Sequence, residues 1–219
     1  MDATDRENAL ALPPSKRGWS GLLLPGLFVA GLIGLSLVRF PSAGGANRNG
    51  GLQPANTRQI VADLTGRDLN GNLWSLRDQK NKVVLVNYWA TWCPPCRQET
   101  PGLVNVAKRY AGRGLSVVGV SLDTGGSAAT GAVRDFARRY AVPYPLILAE
   151  ENPAMVTPSI AAVQAIPTTL LLDRQGRVAK TIMGAVDEAA LRTDIETLLA
   201  ESDRAAGKEQ RQSDVSRGF

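Results

Sequence analysis

Apolar residues along this chain fall into a few distinct patterns. From 19 to 38 they run almost without a break, interrupted only by Ser and Gly, with Pro25 near the start. Two shorter runs, 82–89 (KVVLVNYW) and 115–122 (LSVVGVSL), are dense in β-branched side chains, as expected of strands buried on both faces. In three stretches the apolar residues recur at helical spacing. These are 97–111 through Leu103, Val104, Val106, Ala107 and Tyr110, 131–140 through Val133, Phe136 and Ala137, and 187–200 through Ala190, Leu191, Ile195, Leu198 and Leu199.

Weaker signals fill the gaps. Residues 59–64 and 72–76 read as two short strands around Asn70-Gly71, a strong hairpin dipeptide. Residues 145–149 read as a strand, and 150–161, with Pro153 and Pro158, as a loop with a helical turn. Residues 168–173 form a strand, Gln175-Gly176 turns it, 177–183 pairs back, and Asp187 is placed to cap the last helix. Strands alternating with helices predict an α/β sheet covered on both faces.

The run 19–38 changes the picture of the whole chain. About 20 apolar residues suffice to cross a bilayer as a helix, whereas the apolar core of a signal peptide is usually about 7–15. The reading is a transmembrane anchor, with a signal peptide cleaved in the small-residue stretch 41–46 as the alternative. Arg6, Lys16 and Arg17 precede the run and Arg39 follows it, which places 1–18 in the cytoplasm and the remainder outside it. Segment 39–58, rich in Gly, Asn and Ala, reads as a flexible linker, 59–200 as the folded domain, and the charged 201–219 as a disordered tail.

Composition excludes more than it assigns. Lys and Arg number 25 against 20 Asp and Glu, and no long basic block is present, so nucleic acid is not an expected partner. Arg134, Arg138 and Arg139 read first as a solvated helix face. The chain has no His, which excludes Ser-His and Cys-His nucleophile pairs, His-ligated haem and most catalytic zinc sites. No cofactor and no metal is expected.

The only two cysteines, Cys93 and Cys96, sit in Trp92-Cys93-Pro94-Pro95-Cys96, between the first buried strand and the first helical stretch. Two thiols at that spacing can close a small disulfide ring and reopen it, the chemistry of thiol–disulfide exchange. At a helix start the dipole and the unpaired N–H groups favour negative charge, so Cys93 is the expected attacking thiolate and Cys96 the resolving thiol. Pro94 at the first helical position gives up no needed hydrogen bond. A closed zinc site needs four ligands, which two Cys and no His do not supply. An inert structural disulfide remains open as an alternative.

The stretch 83–96 resembles the active-site segment of the thioredoxin superfamily, closest to its membrane-anchored TlpA/ResA-like branch. Ala165-Ile166-Pro167-Thr168-Thr169 resembles the cis-proline loop that faces the cysteines in that fold, residues 170–178 its following hairpin, and Gly184 with 187–199 its closing strand end and helix. The resemblance covers roughly 59–200. It implies a thioredoxin-like fold: a central mixed sheet flanked by helices, with an N-terminal β-hairpin extension. It implies a cis Pro167 against the disulfide and a structural Pro101 in the active-site helix. Thioredoxins place a buried acid six residues before the first cysteine; here that position is Asn87. ResA-like proteins carry a Glu at the position of Glu99, which is expected to tune thiol ionisation or move protons; a solvated Glu is the plainer reading. Trp92, Pro94 and Pro95 complete the supporting set. The implied partners are protein thiols and disulfides, with an electron donor in the membrane, and the implied uses are reduction of apocytochrome c or of copper-site cysteines.

Other activities of the superfold stay open. The Pro-Pro pair does not by itself set the direction of exchange, so a disulfide-donating oxidase is one alternative. A thiol peroxidase would carry Thr where Ala90 stands, and a copper assembly factor would use a Cys-x-x-x-Cys spacing with a distant His. Two thiolates can still hold Cu(I).

Overall fold

The structure is a computed structural model that describes residues 50–156 and 165–201. The chain divides into two units, Met1–Phe40 and Pro41–Phe219, and the described residues belong to the second. The expected anchor 19–38, the segment 1–18, the linker up to 49, part of the 150–161 loop and the tail beyond 201 lie outside the described residues. Among the described residues no helix is long and apolar enough to cross a membrane.

The sheet is built around β3 (Val83–Trp89), every residue of which is buried. It pairs parallel with β4 (Leu115–Ser121) and antiparallel with β6 (Thr168–Leu172). Outside these lie β5 (Leu146–Leu148), parallel to β4, and β7 (Val178–Met183), antiparallel to β6, giving the order β5-β4-β3-β6-β7. The mixed, five-stranded sheet is the one the resemblance implied.

Alternation along β3 sorts its side chains onto two faces. Val83 and Leu85 point into a core with Leu103, Val106 and Tyr110 of α1 (Pro94–Tyr110) and with Leu191, Ile195 and Leu198 of α3 (188–201). Val84, Val86 and Tyr88 face a second core with Leu64, Trp74, Leu76 and Met155. A third cluster, at the C-terminal end of β3, joins Trp89, Ala90 and both cysteines to Val133 and Phe136 of α2 (Ser127–Tyr140). Trp89 lies 4.3 Å from Phe136, ring centre to ring centre. Gly119 of β4 makes room for this packing: a Cβ there would come within 2.5 Å of Leu146 and 3.0 Å of the Trp89 indole nitrogen.

Two expectations are corrected. The N-terminal hairpin exists, but its first strand, β1, is Thr65–Arg67 rather than 59–64, paired with β2 (Leu73–Ser75). Asp68 organises the turn by accepting the Asn70 and Asn72 N–H groups at 2.8 and 2.9 Å, with Gly71 at φ 82°, so pairing closes next to the turn. Residues 59–61 instead lie against the start of β7: Ile60 bridges Arg177, and Val178 N donates to Gln59 O at 2.8 Å. Second, α2 begins at Ser127, not 131. The Gly125 and Gly126 N–H groups before it are taken by the Glu150 carboxylate, and these bonds, Gly126 first, hold that carboxyl below the usual range. The start of α1 at Pro94 is the expected one, three residues ahead of the periodic stretch that begins at 97.

The folded part also reaches beyond the expected limits of 59 and 200. Gln53 N donates to Ala179 O at 2.8 Å. Arg58, assigned from sequence to the linker, is buried; its guanidinium bonds Glu201 at 2.7 and 3.0 Å and Asp173 at 3.3 Å. Asp187 caps α3 as expected, accepting the Ala190 N–H at 2.8 Å.

Candidate active site

β3 ends at Trp89 and α1 begins at Pro94, so the cysteine motif occupies the strand-to-helix turn. Cys93 is the N-cap of α1, and its N–H donates to Ala90 O at 3.2 Å. Pro94 and Pro95 fill the first two helical positions, where neither has an N–H to leave unpaired. The first helical donor is therefore the Cys96 N–H, and it points at Cys93 Sγ, 3.3 Å away. A cysteine thus takes the place that Ser, Thr or Asp usually holds at a helix start.

The two cysteines are joined in a disulfide with Cα atoms 5.3 Å apart. Cys93 is 3% exposed and Cys96 1%, so in this oxidised form both are shielded, whereas the preceding Trp92 is 63% exposed. The Ile166–Pro167 peptide is cis. Ile166 packs against the cluster that holds both cysteines, and Pro167 is buried, its carbonyl accepting the Gly184 N–H at 2.8 Å. Ile166 is thereby brought to the cluster that holds both cysteines.

Glu99 does not lie on a solvated face; it is buried on α1, three residues after Cys96. Its Oε1 accepts from Asn87 Nδ2 at 2.8 Å and its Oε2 from the Val186 N–H at 2.9 Å. Asn87 Nδ2 donates in addition to Thr169 Oγ1 at 2.9 Å. The carboxylate therefore ties β3, α1 and the segment before α3 together, and Asn87 extends the network to β6. Burial pushes its carboxyl above the usual range, and the Val186 and Asn87 bonds offset that only in part. Pro101 stands inside α1 as expected.

Asp123 was not singled out from sequence. It is buried just beyond β4 and bonds Thr91, in the turn before Cys93, through both carboxylate oxygens. The available signal was the polar pair Ser121-x-Asp123 closing an otherwise apolar strand. Among the described residues no group of three or more His, Cys, Asp or Glu is placed to hold a metal ion.

The Redoxin family model matches residues 50–199. The thiol-disulfide oxidoreductase ResA of Bacillus subtilis (strain 168) is 33% identical over 124 residues, which are 57% of this chain and 65% of that protein, so the match spans just under two thirds of that relative. The thioredoxin-like protein YneN of the same organism is 32% identical over 171 residues, 78% of this chain and 92% of that protein. The crystal structure of a secreted thiol-disulfide isomerase from Corynebacterium glutamicum aligns with a TM-score of 0.60 and 29% identity, over 68% of this chain and 90% of that one. Relatives named thiol-disulfide oxidoreductases thus accompany a thioredoxin-like fold and a CxxC-spaced pair. On fold, motif and matches together, the chain belongs to the Redoxin family, as a ResA-like member of the thioredoxin superfamily.

Proposed function

We propose that the protein is a thiol–disulfide oxidoreductase that reduces cysteine pairs of partner proteins outside the cytoplasm. The observation that carries this reading is the Cys93–Cys96 disulfide at the start of α1, with the Cys96 N–H directed at Cys93 Sγ. In the dithiol form that N–H and the helix dipole stabilise a Cys93 thiolate. The thiolate attacks one sulfur of a partner disulfide, forming a mixed disulfide and expelling the other partner sulfur as a thiolate. Cys96, deprotonated, then attacks Cys93 Sγ and releases the partner's second thiolate. Two electrons pass to the partner, and the enzyme is left oxidised, in the form described above.

The remaining site residues take supporting roles. The exposed Trp92 supplies an apolar contact for the partner chain. Pro94 and Pro95 keep the helix start rigid, and the cis Ile166-Pro167 loop, whose Ile166 packs on the cysteine cluster, receives an extended segment of the partner. Glu99, buried three residues after Cys96 on α1, takes up the proton released when Cys96 ionises.

The run 19–38 serves as a single-pass anchor, with 1–18 in the cytoplasm and 39–58 as the tether. A donor spanning the membrane would re-reduce the disulfide, and the cysteines of apocytochrome c or of a copper site are the substrates that the family resemblance suggests. The name of the secreted structural relative supports the extracytoplasmic placement.

The test is the reduction potential of the full chain in detergent, equilibrated against defined dithiol couples. A value near that of thioredoxin, about −270 mV, supports a reductant. A value near about −120 mV reverses the assignment to a disulfide donor.

A further inference from the structure

Asp123 is 5% exposed and follows the end of β4. Its Oδ2 accepts the Thr91 N–H at 2.9 Å and the Ser121 hydroxyl at 2.7 Å, and its Oδ1 accepts the Thr91 hydroxyl at 2.5 Å. Ser121 Oγ in turn accepts the Asp123 N–H at 3.1 Å, which commits the serine proton to the carboxylate. Both carboxylate oxygens are thus directed at one residue, two positions before Cys93.

The strand ladder ends at Trp89 and the helix begins at Pro94. Between them the chain is held by the Cys93 N–H on Ala90 O, by the Arg97 guanidinium on Thr91 O at 3.4 Å, and by this carboxylate. In the oxidised form the S–S bond also fixes Cys93 against the helix. Once that bond opens, Cys93 is held by the Arg97 N–H on its carbonyl, at 3.2 Å, and by the bonds of the turn, and these keep Cys93 Sγ within reach of the Cys96 N–H.

We propose that Asp123 is a positioning residue for the exchange: by clamping Thr91 it keeps Cys93 at the N-cap of α1 in the dithiol form. The proposal rests on the exchange reading above. Its requirement is geometric rather than one of charge. An Asn at this position can accept from Thr91 N–H and Ser121 through its oxygen, while its amide group donates to the Thr91 hydroxyl, which is able to accept.

The experiment compares full-length wild type, Asp123→Ala, Asp123→Asn and Thr91→Val, each in detergent. Two quantities are read: the pH profile of Cys93 alkylation in the reduced protein, and the dithiol–disulfide equilibrium against a defined dithiol couple. Asp123→Ala is expected to slow alkylation at neutral pH, and to shift the equilibrium toward the disulfide, by roughly threefold to tenfold, the scale of one lost hydrogen bond. Asp123→Asn should stay within about twofold of wild type, and Thr91→Val, which keeps the backbone bond, should fall between. A folded Asp123→Ala with wild-type profile and equilibrium overturns the proposal, as does Asp123→Asn that is as impaired as Asp123→Ala. Should Asp123→Ala fail to fold, Thr91→Val decides, and an unchanged equilibrium in it overturns the proposal. A wild-type chain that does not exchange with the couple at all overturns the exchange reading itself, and so is distinguishable from failure of the positioning role alone.

Discussion

Asn87 Nδ2 reaches Glu99 Oε1 at 2.8 Å, across the interface between the central strand and the active-site helix. An amide thus stands where thioredoxins carry an acid, and the acid stands on the helix. Swapping the amide for a second carboxylate puts two acids in direct contact. Asn87→Asp is expected to be destabilised by about 1–3 kcal/mol at neutral pH, through like-charge contact and the lost donor to Thr169. The loss should shrink as pH falls and one proton is shared between the two carboxyls. Urea unfolding at a series of pH values checks this, and a penalty that does not change with pH would refute it.

The pH dependence of the native protein follows from Glu99. Its folded-state carboxyl titrates above its ordinary value of 4.5 because burial disfavours the anion. Between that value and the raised one the folded state binds more protons than the unfolded state. Its contribution to stability is therefore full below about 4.5 and is lost as pH rises through the raised value. Glu99→Gln can keep the local network if the Asn87 amide turns over, and it should flatten this part of the stability–pH curve. If Glu99 also handles the Cys96 proton, the same variant changes the pH profile of thiol alkylation; an unaltered profile leaves Glu99 a structural role only.

Replacing Cys96 should separate the two thiols' roles. Cys96→Ala is expected to accumulate mixed disulfides at Cys93 when mixed with a disulfide-bearing peptide, because no resolving thiol remains. Cys93→Ala should form few, since Cys96 lies inside the first turn of α1 and lacks the N-cap position, with an N–H directed at its sulfur, that favours the Cys93 thiolate. Gel shift under non-reducing conditions reads both, and the reverse pattern would exchange the assignments.

Arg58 offers a control far from the chemistry. Asp173 follows Leu172, which pairs with Val84 near the start of β3, whereas the cysteines follow its end. Arg58 and Asp173 are almost fully enclosed, with side chains 2% and 4% exposed. Arg58→Ala leaves Asp173 with Arg177 and two backbone donors but without its buried partner. A loss of about 2–4 kcal/mol is expected in urea unfolding, with an unchanged dithiol–disulfide equilibrium. A shift in that equilibrium would mean that the two ends of the sheet are coupled.

What was legible in the sequence follows from range. The buried run of β3 and the helical spacing of α1 are near-neighbour patterns, and they placed the cysteines at a strand-to-helix turn. The cis proline was reached only through resemblance, since nothing local to Ile166-Pro167 says what it faces. Periodicity does not register side-chain bonds between distant positions, such as Asn87 with Thr169 or Arg58 with Glu201. This is why Arg58 was assigned to a linker and Glu99 could be read as solvated. The start of α2 was missed for a similar reason: the carboxylate that satisfies the N–H groups before it belongs to Glu150, beyond the following strand. β1 was misplaced because Asn70-Gly71 indicated a hairpin, but Asp68 set how close to the turn its strands would pair.

The clasp between Arg58 and Glu201 has a mechanical consequence. It joins a residue near the beginning of the folded part to one at the end of α3, and Gln53 is stitched to β7 beside it. Tension applied to the chain at Gly50 is taken first by these bonds, at the edge of the sheet, before it reaches β3. A domain pulled through its N-terminal side would give way at this fastening while the turn carrying Cys93 kept its shape.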